Sequence, residues 1–277
     1  MNTLITLSDL RAARLSLKGT VGLVPTMGFL HEGHLSLIRK AKAECEHMIV
    51  TIFVNPTQFG PTEDLSKYPR DLERDLNLIS PLGVDFVWTP TAEVMYPTGY
   101  QTWVEVEAMT QPLEGSMRPG HFKGVTTVVA KLFNATQPDK AYFGQKDAQQ
   151  AAVIRQMVRD LNFPLEVVVC PTTREADGLA MSSRNKYLNE AERKAAVVLF
   201  RSLSAAKELY ESGEGDAEKV RGKMKEVLAA EPLAQMQYVS CADYDTLAEL
   251  TEIKGKALLS MAVFLGKTRL IDNFVLG

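Results

Sequence analysis

The sequence predicts an α/β fold, a doubly wound parallel sheet followed by a smaller α+β domain, and three observations lead there. Apolar strand-like runs alternate with helical patterns through the first part of the chain, the alternation then gives way to long helices followed by strands, and chemically capable residues cluster just after the early strand-like runs. Alternation of this kind makes successive strands parallel, and in such sheets ligands lie beyond the carboxyl ends of the strands.

Taken in order, residues 21–24 read as a buried strand that Pro25 ends. Leu35, Leu37, Ile38 and Ala41 then recur at helical spacing over residues 35–44. Further strands are predicted at 48–54, 84–88, 141–143 and 165–169, with helices at 71–82, 125–134 and 149–161. After Tyr187-Leu188 the pattern changes: helices are expected from 190 to about 210 and over 217–229, separated by the turn Ser212-Gly213-Glu214-Gly215, before strands at 237–241, 258–264 and 269–275. We place a domain boundary near Lys186, giving a catalytic domain of residues 1–186 and a smaller α+β domain of residues 187–277, with 175–184 as a mobile connection.

Composition narrows the function classes. A chain of 277 residues can bury a sizeable core, and 45% hydrophobic with 23% charged residues is ordinary for a globular enzyme. The formal charge of −3, with a pI near 5.9, leaves no broad cationic surface for nucleic acid, so no nucleic-acid partner is expected. Cys45, Cys170 and Cys241 are odd in number and far apart, which indicates neither a disulfide framework nor a Cys-x-x-Cys pair. The start lacks a basic segment followed by a long apolar core, and no later run is long enough to cross a bilayer. A cytoplasmic protein with no membrane partner is expected.

The most informative run is Pro25-Thr26-Met27-Gly28-Phe29-Leu30-His31-Glu32-Gly33-His34, between a strand and a helix. His31 and His34, three apart, share a helix face, beside main-chain N–H groups that a helix start leaves available to anions. The pair suits a phosphate chain; it also suits a helix cap or half of a metal site. A metal needs further ligands at matching spacing, and His47 and His121 lie elsewhere. Lys146, in Gly144-Gln145-Lys146-Asp147, follows a predicted strand and reads either as a point charge for phosphates or as a solvated lysine. Met181-Ser182-Ser183-Arg184 offers hydroxyls and a guanidinium to phosphate oxygens, or a helix cap. Gln58 and Gln150 are amides that both donate and accept, as an acceptor bearing hydroxyls and a carboxylate demands.

The His-x-Gly-His form resembles the signature of the nucleotidylyltransferase superfamily, which includes the class I aminoacyl-tRNA synthetases and whose two histidines grip the triphosphate of ATP. Five further segments occur in order: Phe53-Val54-Asn55-Pro56-Thr57-Gln58-Phe59, Tyr68-Pro69-Arg70, Arg118-Pro119-Gly120-His121-Phe122, Gly144-Gln145-Lys146-Asp147, and 174–184. Together they resemble the pantoate–β-alanine ligase family over nearly the whole chain.

That resemblance implies a Rossmann-like sheet, a second domain acting as a lid, ATP as co-substrate with Mg2+, pantoate and β-alanine as small-molecule substrates, and a homodimer. Apolar residues around 50–53 are read as strands that support its pairing. The implied reaction activates pantoate as an adenylate, releasing pyrophosphate, before the β-alanine amine expels AMP. It further implies that His34, as proton donor, His31 and Lys146 carry the catalysis. On the same resemblance Met27, Gly28, Phe29, Leu30, His31, Glu32, Gly33 and His34 are expected to line the ATP site. Gly144, Gln145, Lys146 and Asp147, the last toward the ribose, join it, with Thr173, Met181, Ser182, Ser183 and Arg184. Gln58 and Gln150 contact pantoate, with Gln58 also near β-alanine, and Asn55, Arg118 and Tyr68 match positions around substrate and nucleotide. Asp75 is the expected magnesium ligand, although Arg74 stands where relatives can have an acid. Thr57, Gln145 and Thr173 replace the more usual Met, Glu and aliphatic residue.

Rival readings are an enzyme joining AMP to a phosphorylated acceptor, a tRNA synthetase fragment, and a non-catalytic scaffold. A phosphorylated acceptor requires basic residues where Gln58 and Gln150 stand. Transfer RNA requires a basic face, and a scaffold would be expected to lose some of His34, Lys146 or Ser182, all of which are present.

Overall fold

The computed structural model describes residues 1–61, 63 and 65–277. The chain divides into two units, one of residues 1–144 with 149–170 and one of residues 145–148 with 171–277. The division follows Cys170, upstream of Lys186, and assigns the short segment after residue 144 to the second unit.

The first unit is built on a six-stranded parallel sheet of order β1-β4-β3-β2-β5-β6: β1 (Asn2–Leu4), β2 (Val21–Thr26), β3 (His47–Ile52), β4 (Phe86–Trp88), β5 (Lys140–Gly144) and β6 (Glu166–Cys170). Successive side chains of a strand face opposite sides, and here both sides are covered. Leu23 and Ile49 join a core with Leu10, Val125, Phe133 and Ile154, whereas Val24 and Val50 join another with Leu37, Ile38, Ala41 and Ile79. Burial on both faces is why these strands read as continuous apolar runs. The helices of this unit are α1 (Leu7–Ser16), α2 (Glu32–Glu44), α3 (Leu72–Ile79), α4 (Ala92–Met95), α5 (Glu114–Met117), α6 (His121–Thr136) and α7 (Ala148–Asp160), and all but α5 place residues in these two cores. Strand order reverses between β2 and β5, so the carboxyl end of β2 marks a topological switch point.

Three local features differ from the sequence reading. β1 and α1 carry little periodic signal because β1 is a three-residue edge strand and α1 fully buries only Leu10. The cap Thr6, whose Oγ1 accepts from the Asp9 N–H at 3.1 Å, was a usable helix-start signal. α6 begins at His121 rather than 125, because its mixed first turn is buried: Gly124 packs against the 56–58 turn, and a methyl built there lands on the Thr57 carbonyl. Alanine is otherwise the better helix former by about 1 kcal/mol, so backbone proximity selects this glycine. Finally, β3 is flanked by β2 and β4, and its interior residues are buried. With both edges already hydrogen-bonded, the expectation that strands around 50–53 pair two subunits is corrected.

The second unit holds an antiparallel sheet of order β7-β8-β9, formed by β7 (Ala234–Asp243), β8 (Ala257–Leu265) and β9 (Thr268–Leu276). Helices α8 (Glu190–Ala195), α9 (Val198–Glu211) and α10 (Ala217–Ala229) precede it. Leu199, Leu203, Val220 and Met224 pack with Leu259, Met261, Val263 and Leu270 in its core. The register irregularity between Met236 and Tyr238 breaks the alternation in β7, which hid that strand's first residues from a period-two reading. No helix among the described residues is long and apolar enough to cross a membrane.

Candidate active site

At the end of β2 the chain turns through Gly28 (φ +82°) and Phe29 (φ +51°) before His31 caps α2. Phe29 is a non-glycine residue in the left-handed region, a conformation that costs about 1–2 kcal/mol. Asp75, 1% exposed, offsets that cost: its Oδ2 accepts the Phe29 N–H at 2.6 Å and its Oδ1 the Leu30 N–H at 2.7 Å. Hydrogen bonds to a charged group contribute about 1.5–3 kcal/mol each, enough to hold the turn. Arg74 completes the clamp, with Nη2 donating to the Leu30 carbonyl at 3.0 Å and its guanidinium 4.9 Å from the Phe29 ring centroid. A Cβ on Gly28 would lie 3.1 Å from Ile52 Cγ2 and 3.2 Å from Asp75 Oδ2, so space and backbone angle both require glycine.

This geometry revises the role expected of Asp75. Burial pushes its carboxyl above the usual range, opposed by the Leu30 and Phe29 N–H groups. A carboxylate so enclosed, with both oxygens turned to main-chain N–H groups and one also facing Arg74 at 3.2 Å, is a brace for the turn and not a presented magnesium ligand. Among the described residues no group of His, Cys, Asp or Glu is gathered to hold a metal ion.

The histidines themselves are ordered by the helix start. His31 Nδ1 accepts the Gly33 N–H at 3.2 Å, and His34 Nδ1 accepts the His31 N–H at 3.3 Å; the ring centroids stand 4.2 Å apart. With Nδ1 accepting in each, the neutral imidazole carries its hydrogen on Nε2. The helix start therefore orients two donors of one tautomer on one face. Glu32 is exposed and paired with Arg39, while Leu30 is fully buried and belongs to the core.

Beyond β3, the Asn55-Pro56-Thr57-Gln58 turn is held from within. Asn55, 1% exposed, donates from Nδ2 to Gln58 Oε1 (3.0 Å) and to the Gly124 carbonyl (3.1 Å), and its Oδ1 accepts from Tyr96 OH at 2.8 Å. Its two amide hydrogens are both engaged, which orients Gln58. Gln58 Nε2 donates to Met27 Sδ at 3.1 Å, a weak acceptor that a polar ligand can replace. His121 Nδ1 lies 2.8 Å from the Gln58 carbonyl, which only accepts, so this nitrogen donates and Nε2 faces Arg118 Nη1 at 3.1 Å. Burial first, and then Arg118, lower the His121 pKa to about 4, which keeps the ring neutral near neutral pH. Arg118 also forks onto Glu63, at 2.7 Å to each oxygen. Tyr68 is buried, edge-on to Phe59. Neither Tyr96 nor Glu63 stands in a sequence motif that points to this site, whereas His121 lies in the Arg118-to-Phe122 segment.

Gln150 is half-buried on the first turn of α7. Its neighbour Gln149 is 4% exposed, accepts the Glu114 N–H and donates to the Met109 and Pro112 carbonyls, a structural brace that the sequence reading passed over. Gly144 closes β5 against Cys170 of β6.

The second unit carries the remaining residues. Lys146, half-buried in the 145–147 turn, lines a small cavity with Ser182, Asn185 and Asp272, and its ammonium has no ion-pair partner among the described residues. Residues 174–180 form a tight hairpin, with Arg174 bridged to Ala180 and Gly178 at φ +93°; Thr173 then accepts from the Met181 N–H. Ser182 Oγ accepts the Arg184 N–H at 3.2 Å and so caps the Ser183–Tyr187 turn. Asp147 is exposed, and Gln145 Nε2 donates to Asn273 Oδ1 at 3.0 Å.

Comparison with known proteins places these motifs in one family. The model of the pantoate-beta-alanine ligase family matches residues 2–275. The chain is 59% identical over 276 residues to the pantothenate synthetase of Roseiflexus castenholzii, covering 100% of this chain and 99% of that one. It is 60% identical over 277 residues to that of Herpetosiphon aurantiacus, covering 100% of both. Among solved structures, the pantothenate synthetase of Thermus thermophilus superposes with a TM-score of 0.95 at 48% identity, covering 99% of each chain. The pantoate-beta-alanine ligase of Francisella tularensis, complexed with beta-gamma ATP and beta-alanine, superposes at 0.82 with 36% identity, covering 99% of this chain and 97% of that one.

Proposed function

The chain belongs to the pantoate–β-alanine ligase family, and from that premise we propose that it joins the two through an acyl adenylate made from ATP. Condensing a carboxylate with an amine in water is uphill until the carboxylate carries a good leaving group. In the first step a pantoate carboxylate oxygen attacks the α-phosphorus, the bond to the β-phosphate bridging oxygen breaks, and pyrophosphate leaves with that electron pair. In the second, the β-alanine nitrogen attacks the acyl carbon and AMP departs, the amine losing a proton as the amide forms.

The observation that carries this reading is the pair His31 and His34, both with Nδ1 turned to main-chain N–H groups at a helix start. Two oriented donors beside the positive end of a helix suit phosphate oxygens gaining charge. The reading assigns His34 as proton donor, with His31, Lys146, Ser182, Ser183 and Arg184 to the departing phosphates. Met27, Gly28, Phe29, Gly144, Gln145, Thr173 and Met181 bound the nucleotide, Asp147 meets the ribose, and Leu30, buried in the core with its N–H and carbonyl held by Asp75 and Arg74, backs the turn instead. Magnesium enters as part of the nucleotide substrate, carried on its phosphate oxygens; Asp75 does not fit as its ligand, and no step runs through a protein-held ion. A cytoplasmic homodimer belongs to the same proposal on family grounds alone.

The deciding experiment is isotope exchange. With ATP, magnesium and pantoate but no β-alanine, labelled pyrophosphate is expected to enter ATP, and a tightly held adenylate to remain on the enzyme. An amine requirement for exchange would indicate a concerted reaction. Exchange without pantoate would indicate an enzyme-bound nucleophile, against the burial of Cys45, Cys170 and Cys241.

Gln58 and Gln150 are assigned to pantoate. Gln58→Leu and Gln150→Leu are expected to weaken pantoate binding by about 1 to 3 kcal/mol, because each leaves polar groups of the ligand unpaired. ATP affinity stays near its starting value. Titration calorimetry with each ligand checks this, and equal losses for both would mean that the amides shape the pocket as a whole.

A further inference from the structure

Asn273 lies on β9, 3% exposed, and all of its side-chain hydrogen-bonding groups are engaged. Nδ2 donates to the main-chain carbonyls of Gln145 and Lys146, each at 2.9 Å, and Oδ1 accepts from Gln145 Nε2 at 3.0 Å. The next residue back makes the matching contact with the other motif. Asp272, 1% exposed, forks onto Arg174 at 2.6 and 2.9 Å, and the Arg174 guanidinium stands 5.1 and 5.0 Å from the ring centroids of Phe200 and Phe274. Arg174 Nη1 also donates to the Gly178 carbonyl at 3.0 Å, which ties down the hairpin ahead of Ser182. Two consecutive residues of the last strand thus fasten the Lys146 turn and the 174–180 hairpin to one sheet.

We infer that Asn273 is a positioning residue that acts through Lys146, setting the turn from which the ammonium reaches phosphate. A lysine side chain has four rotatable carbons, so the position of its own main chain decides where the charge can be held. Asn273 fixes that main chain by the carbonyls on either side of the Lys146 amide nitrogen. An amide is the suitable group: it presents two donors to two carbonyls and an acceptor to a third partner, whereas a carboxylate would set like partial charges against both carbonyls. The inference rests on the proposed role of Lys146.

The test is a double-mutant cycle read in single-turnover adenylate formation. Asn273→Ala is expected to slow this step about 10- to 100-fold, the scale for misplacing a catalytic group by around an ångström, with the KM for pantoate little changed. Asn273→Ser, which keeps one donor, is expected to fall between Asn273→Ala and the native enzyme. In a Lys146→Ala background Asn273→Ala should slow the step no further. Equal slowing in both backgrounds would overturn the inference and leave the role of Lys146 standing. Near-normal adenylate formation in Lys146→Ala alone would overturn that role. Thermal unfolding of Asn273→Ser identifies any loss due to instability: a fully folded Ser variant at native rate also overturns the inference.

Discussion

Replacing His34 with alanine is expected to slow adenylate formation about 10²- to 10³-fold in single turnover, the scale for removing one donor from a developing anion. The same substitution also removes an acceptor from the helix start, because His34 Nδ1 receives the His31 N–H. Loss of such a cap partner lowers stability by about 1 kcal/mol, far too little to unfold a well-packed domain. The two effects separate in His34→Gln. Glutamine at the third helical position reaches back to the N-cap N–H as in a capping box, so its stability is expected to return toward that of the native chain. Its amide, turned to the N-cap, does not present a donor where the imidazole Nε2–H stands, and the rate is expected to stay at least 10²-fold down. A His34→Ala enzyme that forms adenylate at the native single-turnover rate would remove His34 from the chemistry and leave it as a cap.

How much of this site was legible in the chain follows from the kind of signal each residue carries. The turn from β2 into α2 was readable because proline, glycine and histidine occur together between an apolar run and a helical period. The sheet was readable because burial on both faces makes β2 and β3 continuous apolar runs. What did not show is tertiary partnership. Asp75 looks like a ligand in a helix of alternating charges, and only contact with residues 45 or 46 positions away makes it a brace for Phe29 and Leu30. Asn55 reads in sequence as a ligand contact, and nothing there shows that Tyr96 and the Gly124 carbonyl hold its amide. Gln149 and Gln150 are indistinguishable in sequence, and the helix turns one into the 109–114 loop and leaves the other half-buried. Buried polar groups are saturated by partners distant in sequence, so their roles are the last to be read.

Lys146→Ala is expected to be at least as damaging as His34→Ala, about 10³-fold in adenylate formation, because it removes a whole positive charge rather than a hydrogen-bond donor. The effect should fall on rate more than on binding: the α–β bridging oxygen gains charge only as pyrophosphate departs, so an ammonium placed there stabilises the transition state beyond the bound ATP. Accordingly, ATP affinity by calorimetry is expected to drop by no more than about 10-fold. Two further substitutions locate the cause. Lys146→Met keeps much of the side-chain length without charge and should match the alanine variant in rate. Lys146→Arg keeps the charge but spreads it over a planar fork that cannot occupy the position of a compact ammonium. It should retain native ATP affinity while remaining slow. Losses of binding and rate by the same factor in Lys146→Ala would mean that the charge grips substrate and transition state alike. A Lys146→Met enzyme at the native rate would mean that the ammonium takes no part in the departure of pyrophosphate.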